Sequence, residues 1–427
     1  MPQLMIVSML LFFGLTVPVA VSIGLASIFG VAWDGHMPWM VIAQQLYAAL
    51  DKYPLVAVPF FILAGNLMEA SGISDRMVEF AKSVVGGMQG GLAVSCVLTC
   101  MIFAAVAGSS VATTFAVGAI LIPAMVRHGY PKPFAASLQA SAAELGVIIP
   151  PSIPMILFAV STDTSVGELF IAGIGPGILI AGAMMCYVWL YARVNGYGKQ
   201  DGQNRIALGP AFRQAWLALL MPVIILGGIY GGVFTPTEAS AIAVVYALVV
   251  GMFVYRTLTV PRLSEALRRS VISTAVIMFV IANAGIFGFL LNRAGIPAAL
   301  GAWLGMIFTG KYSFLLGINV ALFLIGMFIE TSASIVVLAP LLLPVAMSFG
   351  VDTAHFGVIM VVNLALGMVT PPFGVNLFAA CAVANITLER LIRPLLPFVL
   401  VVFACLMLIT YMPSISLFLK ELAYGPA

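Results

Sequence analysis

The sequence predicts an all-α polytopic membrane protein, an inverted repeat with two re-entrant hairpins and two broken helices. Three observations carry this. Of 427 residues, 63% are hydrophobic and 8% charged, whereas a soluble domain runs near about a quarter charged. The apolar runs are continuous and do not alternate, so helices rather than a barrel must satisfy the backbone in lipid. Two of these runs are interrupted in the same way, at Glu144-Leu145-Gly146-Val147-Ile148-Ile149-Pro150-Pro151-Ser152 and at Gly367-Met368-Val369-Thr370-Pro371-Pro372-Phe373-Gly374-Val375-Asn376. Proline removes a backbone donor, clashes with the preceding turn and pushes its predecessor out of helical geometry. Each segment is therefore expected to stop, unwind and restart.

In chain order, Leu4 to Val31 reads as the first span. It lacks the basic flank and small-residue cleavage site of a signal peptide, so it is expected to be retained. Trp33, Trp39 and Tyr47 flank a short amphipathic piece, as interfacial aromatics do. A second span covers Pro54 to Met68. The helix from Ile73 to Val85 carries Asp75, Arg76, Glu79 and Lys82 and suits the interface. Two short apolar pieces, Gly91 to Ala107 and Val111 to Val126, meet at Gly108-Ser109-Ser110 and read as a re-entrant hairpin (91–126). The first broken helix follows (134–160), then a span from Glu168 to Tyr191. A linker from Arg193 to Arg213 contains Gly196, Gly198, Gly202, Gly209 and Pro210.

The second half repeats the plan. Spans are expected at Ala215 to Gly231, Ala239 to Tyr255 and Val271 to Leu291, with an interfacial helix from Ala298 to Phe308. A second hairpin (314–349) turns at Glu330-Thr331-Ser332-Ala333-Ser334. The second broken helix (356–383) and a last span from Leu391 to Met412 complete it. Landmarks recur at nearly constant offset: Gly72 to Gly295 is 223 residues, Ser110 to Ser332 is 222, and Pro123 to Pro344, Pro150 to Pro371 and Glu168 to Glu389 are each 221. The repeats are 1–213 and 214–427, with a division into a transport domain of about 91–163 plus 314–386 and a scaffold of the remainder.

Loop positives set the orientation. With the linker in the cytoplasm, 14 of the 18 Lys and Arg fall inside, leaving Lys52, Arg293, Lys311 and Lys420 outside. Hairpin one then has its ends in the cytoplasm and hairpin two on the opposite side. The net charge of +3 follows loop placement and points to no nucleic-acid partner. The cysteines (Cys96, Cys100, Cys186, Cys381, Cys405) lie in apolar runs and read as buried free thiols, not a disulfide framework or metal site.

Broken helices in inverted repeats gather ion and substrate sites near the midplane. Unwound carbonyls and helix C-termini attract cations, and helix N-termini attract anions. Each hairpin tip is expected to meet the break of its own repeat. Sodium site one would combine Gly108, Ser109, Ser110 and Thr113 with Gly146, Val147 and Ile149. Sodium site two would combine Glu330, Thr331 and Ser332 with Gly367, Val369 and Thr370. Hydroxyl and carbonyl oxygens with few charges suit sodium, since a divalent ion calls for more carboxylates. Ser152 and Asn376 are weaker candidates for substrate contact. The competing reading is that small residues at the tips serve close helix packing, and that Glu144 and Glu330 are neutral hydrogen-bonded groups rather than functional carboxylates. Leu366 stands opposite Glu144, so Glu144 is not a duplicated ligand. Asn66 and Glu69 read as solvated groups at the membrane edge. His36, His128 and His355 lie outside both sites, which gives Ser/His/Asp catalysis no support.

These stretches carry a family resemblance. Pro59-Phe60-Phe61-Ile62-Leu63-Ala64-Gly65, Ala107-Gly108-Ser109-Ser110-Val111-Ala112-Thr113-Thr114, Gly146-Val147-Ile148-Ile149-Pro150-Pro151-Ser152 and Val369-Thr370-Pro371-Pro372-Phe373-Gly374 together make the chain resemble the large membrane subunit of tripartite ATP-independent periplasmic (TRAP) transporters. The resemblance spans essentially the whole chain. It implies an elevator-type fold of the ion-transporter superfamily in a bacterial inner membrane. It implies sodium-coupled uptake of an organic acid, such as a C4-dicarboxylate, sialic acid or another sugar acid. It also implies a small four-helix membrane subunit, expected here as a separate chain, and a periplasmic substrate-binding protein. No cofactor is expected beyond the coupling sodium. No Walker motif occurs, so ATP hydrolysis is not expected, and enzyme activity is not expected because Asp, His and Glu do not cluster at one membrane depth. The runner-up is a stand-alone sodium–dicarboxylate symporter of the same fold.

Overall fold

A computed structural model describes residues 1–85, 87–198 and 207–425. The first repeat holds α1 (Pro2–Gly14), α2 (Val19–Asp34), α3 (Met40–Leu50), α4 (Ala57–Ala70), α5 (Ile73–Val85), α6 (Gly91–Ala107), α7 (Ser110–Arg127), α8 (Lys132–Ala143), α9 (Leu145–Ile148), α10 (Ile153–Thr162) and α11 (Val166–Asn195). The second holds α12 (Leu208–Tyr230), α13 (Pro236–Val249), α14 (Val260–Arg293), α15 (Ile296–Ile307), α16 (Lys311–Gly326), α17 (Thr331–Ser348), α18 (Thr353–Met368), α19 (Val375–Ala384), α20 (Leu388–Tyr411) and α21 (Ser414–Tyr424). Among the described residues, nine helical stretches are long and apolar enough to cross a membrane.

Both double-proline segments break as the sequence requires. Helix α9 ends at Ile149, which is extended, and α10 restarts after Ser152. Helix α18 ends at Met368 and α19 restarts after Gly374. Both double prolines contain a cis bond, Pro150–Pro151 and Pro371–Pro372. Gly72 and Gly295, matched by offset, share a left-handed backbone, with φ of 68° and 72°. Glycine takes that geometry without the clash a Cβ would bring.

Several boundaries differ from the sequence reading. The first span is two helices. Thr16 has a left-handed φ of 60° and Pro18 caps α2, so Leu4 to Val31 folds back on itself, with Met5 against Gly30 and Phe12 stacked on Phe29. A proline after an unfavourable turn residue was the overlooked signal. The hairpin arms are nearly full length: α7 and α17, at 18 residues each, pass as spans by length and composition. The linker is shorter than expected, because α11 runs to Asn195 and α12 begins at Leu208 with Gly209 and Pro210 in its first turn. Lys199, Gly202 and Arg205 lie outside the described residues. Helix α21 was not anticipated. Four of the five cysteines are buried as expected, but Cys186 is exposed.

The packing crosses between repeats. Helix α7 lies on α19 of the other repeat, and α17 lies on α10. Helices α11 and α20 pack against α6, α8 and α18, sealed by the stack of Phe134 on Tyr191 (4.7 Å) and the edge contact of Tyr187 with Phe398 (5.3 Å). Outside this body, α14 packs on α2, α3 and α4, and α12 on α5. Ion pairs between distant elements join Lys52 to Asp163, Lys420 to Asp352 and Glu168, and Arg269 to Glu69. Each pair joins residues that the loop charges assign to one side of the membrane.

Candidate ion and substrate site

Tip one closes tightly on break one. Gly108 ends α6 with φ 59°, and Ser109 turns extended to cap α7, accepting from the Ala112 N–H at a long 3.5 Å. The Thr113 hydroxyl donates to the Ser109 carbonyl at 2.8 Å. Gly146 lies directly beneath. A Cβ there would sit 2.9 Å from both the Ser109 carbonyl oxygen and Thr113 Oγ1, and one on Gly108 would sit 3.0 Å from the Pro151 carbonyl oxygen. Glycine is thus required at both places for tip and break to bring these oxygens together. Val147 accepts from the Ser152 hydroxyl at 2.5 Å, while Ile149 leans its side chain on Gly177 of α11. Ser110 is buried and its carbonyl accepts from Thr114. Of the seven residues expected at site one, Ser109, Thr113 and Gly146 meet directly, and Gly108 meets the break at Pro151, while Ile149 turns to α11.

Site two is assembled differently. Gly367 touches Gly326 at the end of α16, where a Cβ would fall 2.3 Å from the Gly326 carbonyl carbon. The Phe373 N–H donates to the Met327 carbonyl at 3.3 Å, and the Phe328 and Phe373 rings lie 5.9 Å apart. Tip and break meet through these residues. Glu330, Thr331 and Ser332 lie farther along the turn. Glu330 caps α17: one oxygen accepts from the Ala333 N–H at 3.1 Å and the other from the Ser332 hydroxyl at 2.8 Å. The Thr331 and Ser334 hydroxyls are buried with no protein partner, an imbalance that a bound cation or water would relieve. Val369 is buried and Thr370 half-buried, its hydroxyl donating to Leu366 at 2.8 Å.

Both tips open on one cavity of about 520 Å³. Its polar wall is Ser109 from tip one, Glu330 and Ser332 from tip two, and Asn66 and Ser273 from α4 and α14. Among the described lining residues there is no Lys or Arg. The starts of α7 and α17 border it, and backbone N–H groups at a helix start attract anions. Ser152 and Asn376 lie away from this wall. Ser152 caps α10 and is fully buried. Asn376 is fully buried and donates to Glu144, joining the two breaks, with Glu144 Oε2 and Asn376 Oδ1 left unpartnered. Asn66 and Ser273 were missed as cavity residues. Asn66 looked like a group at the water's edge because Glu69 and Ala70 end α4 one turn on, and nothing in sequence shows which helix covers it.

A family model described as the tripartite ATP-independent periplasmic transporter, DctM component, matches residues 6–415. The chain belongs to this family. It is a multi-pass membrane protein of the large-permease type. It is 43% identical over 383 residues to the C4-dicarboxylate TRAP transporter large permease protein DctM of Pseudomonas aeruginosa, covering 89% of each chain. It is 37% identical over 383 residues to the sialic acid TRAP transporter large permease protein SiaM of Vibrio cholerae, covering 90% of each. The isethionate TRAP transporter permease protein DctMQ of Oleidesulfovibrio alaskensis is 43% identical over 410 residues, 96% of this chain, and this chain spans 64% of that relative's length. The crystal structure of the Alcanivorax borkumensis YdaH transporter shares the fold, with a TM-score of 0.61 at 18% identity, covering 90% of this chain and 88% of that one.

Proposed function

We propose that this permease works in the bacterial inner membrane as a sodium-coupled secondary transporter importing an organic acid. A periplasmic binding protein delivers the acid, and a small four-helix membrane subunit completes the complex. The observation that carries the reading is the shared cavity, onto which both hairpin tips open. Sodium is held at the tips by carbonyl and hydroxyl oxygens, Ser109, Thr113 and Pro151 at site one and Thr331 and Thr370 near site two. The acid's carboxylate rests at the start of α7, because Glu330 already occupies the start of α17 and Ser109 caps α7 only weakly. With no lysine or arginine on the described wall, bound sodium supplies the positive charge, which makes acid binding depend on sodium. The body that slides past α4 and α14 carries α11, α20 and α21 with it, a larger body than 91–163 plus 314–386, since α11 packs on α6 of hairpin one, α20 on the broken-helix segments α8 and α18, and α21 on α11 and α18.

The test is uptake into liposomes holding this chain with its small subunit, presented with loaded binding protein. Import of at least one of succinate, isethionate, N-acetylneuraminate and ectoine should require an inward sodium gradient and collapse when potassium replaces sodium. Import indifferent to sodium, or no import of any of these acids, would overturn the reading.

A further inference from the structure

A second cavity, also about 520 Å³, lies beside the first and is lined by Glu69, Asp75, Arg262, Glu265 and Arg269 among others. Helices α4 and α14 line both. Along α4, Ile62 faces the shared cavity, Glu69 faces the charged one, and Asn66 lines both. Along α14, Ser273 and Val276 face the shared cavity, and Ala266 and Arg269 the charged one. These spacings of three and four residues are those of one helix face. Between the two sets lies Ser270, and the Asn66 amide donates to its hydroxyl at 2.8 Å while Ser270 donates to Ala266 at 2.7 Å. Among the described residues the Asn66 amide makes only this one bond, which leaves its second N–H able to donate to an anion. Hairpin one sits close by: a Cβ on Gly65 would meet the Ala107 backbone at 3.3 Å.

We propose that Asn66 is the threshold over which the organic acid leaves the shared cavity for the charged vestibule, its amide hydrogen-bonding the cargo from the wall that stays fixed. This rests on the transport reading above. The vestibule opens where Arg262, Arg268 and Arg269 stand, the face the loop charges assign to the cytoplasm. Its mixed charges suit an acid and sodium leaving together: Arg262 and Arg269 meet the anion, and Glu69, Asp75 and Glu265 meet the cation. A bond that served only to hold α4 against α14 would leave Asn66 indifferent to cargo.

The experiment places a thiol at the threshold, Asn66→Cys, in a Cys186→Ser background, because Cys186 is the exposed native thiol and the other four are buried. The complex is reconstituted with its partners and treated with a membrane-impermeant thiol reagent from either face. We expect labelling from the cytoplasmic face only, slowed at least about fivefold by whichever acid of the panel above the unmodified protein imports with sodium. Asn66→Leu should lower uptake of that acid by about tenfold or more, the scale of one lost hydrogen bond to a charged partner. It should leave the sodium concentration for half-maximal uptake within about twofold, since it removes no ion ligand. Labelling from the periplasmic face, no labelling, or labelling unaffected by an imported acid overturns the threshold. If Asn66→Leu fails to insert, the thiol result decides alone. If the unmodified protein imports none of the panel, the transport reading falls and this inference with it.

Discussion

The two repeats share a sequence plan but not an environment. Break one is wholly enclosed, with every residue from Glu144 to Val160 buried. Break two is open: Pro372 is exposed, and Phe373 and Phe328 are 58% and 60% exposed. Tip one is an interlocked knot of Gly108, Ser109 and Thr113 on Gly146, while tip two rests on its break through Gly326 and Met327 and leaves Glu330 outward. Duplication therefore preserved the interruption of the helix and the supply of oxygens, and let the cover diverge. The enclosed break is set by packing, and the open one by its own side chains.

Three tests would break or sharpen this contrast. The largest effect is expected from Gly367→Ala. The clash there is with backbone, which cannot rotate away, so α16 and α18 must separate. Overpacking of this kind costs about 1–3 kcal/mol or more, and transport should be lost altogether. Thermal unfolding in detergent would show a marked fall, and an unchanged transition would mean the two helices are not held this close.

Next come the paired replacements Ser110→Leu and Ser332→Leu. Both should abolish sodium-dependent uptake with membrane insertion intact. Only Ser110→Leu, inside the enclosed site, should also lower stability by about 1–3 kcal/mol. Ser332 lines the cavity and has room for the larger side chain. Equal stability losses would erase the distinction between closed and open sites, and normal uptake in both variants would remove the paired sites.

The smallest effect concerns Asp352, at the start of α18. Burial raises its proton affinity, but Lys420 at 2.9 Å and the Ala354 and His355 N–H groups outweigh burial and hold it below the usual carboxylate range. A carboxyl depressed on folding contributes stability above its unfolded value of about 4, and that contribution fades as pH falls through the folded value. Between about pH 5 and 3, native protein should lose more thermal stability than an Asp352→Asn variant. Parallel curves would show that the Lys420 pair contributes nothing.

Much of this architecture could be read from the chain, because its strongest signals are local and covalent. A double proline breaks a helix wherever it lies, and the near-constant offsets from Ser110 to Ser332 and from Pro150 to Pro371 exposed the duplication. The meeting of tip one with break one was legible for the same reason: a small-residue tip facing Gly146 leaves little choice of neighbour. What stayed hidden depends on which helices meet. Asn66 and Ser273 became cavity residues only when α4 and α14 were seen to run together. Nor could the bond between Asn376 and Glu144 be read, because the two stand on different helices of different repeats. The turn at Thr16 to Pro18 carried a visible proline, but the unbroken hydrophobicity around it masked the stop.

The crossed packing bears on how such a molecule can be taken apart. Because α7 is seated on α19 and α17 on α10, each half finishes the interrupted helix of the other. The two halves made as separate polypeptides would each present an unfinished break to lipid, where an exposed peptide group has no water to turn to. They are complementary pieces of a single object, and neither is a smaller version of the whole.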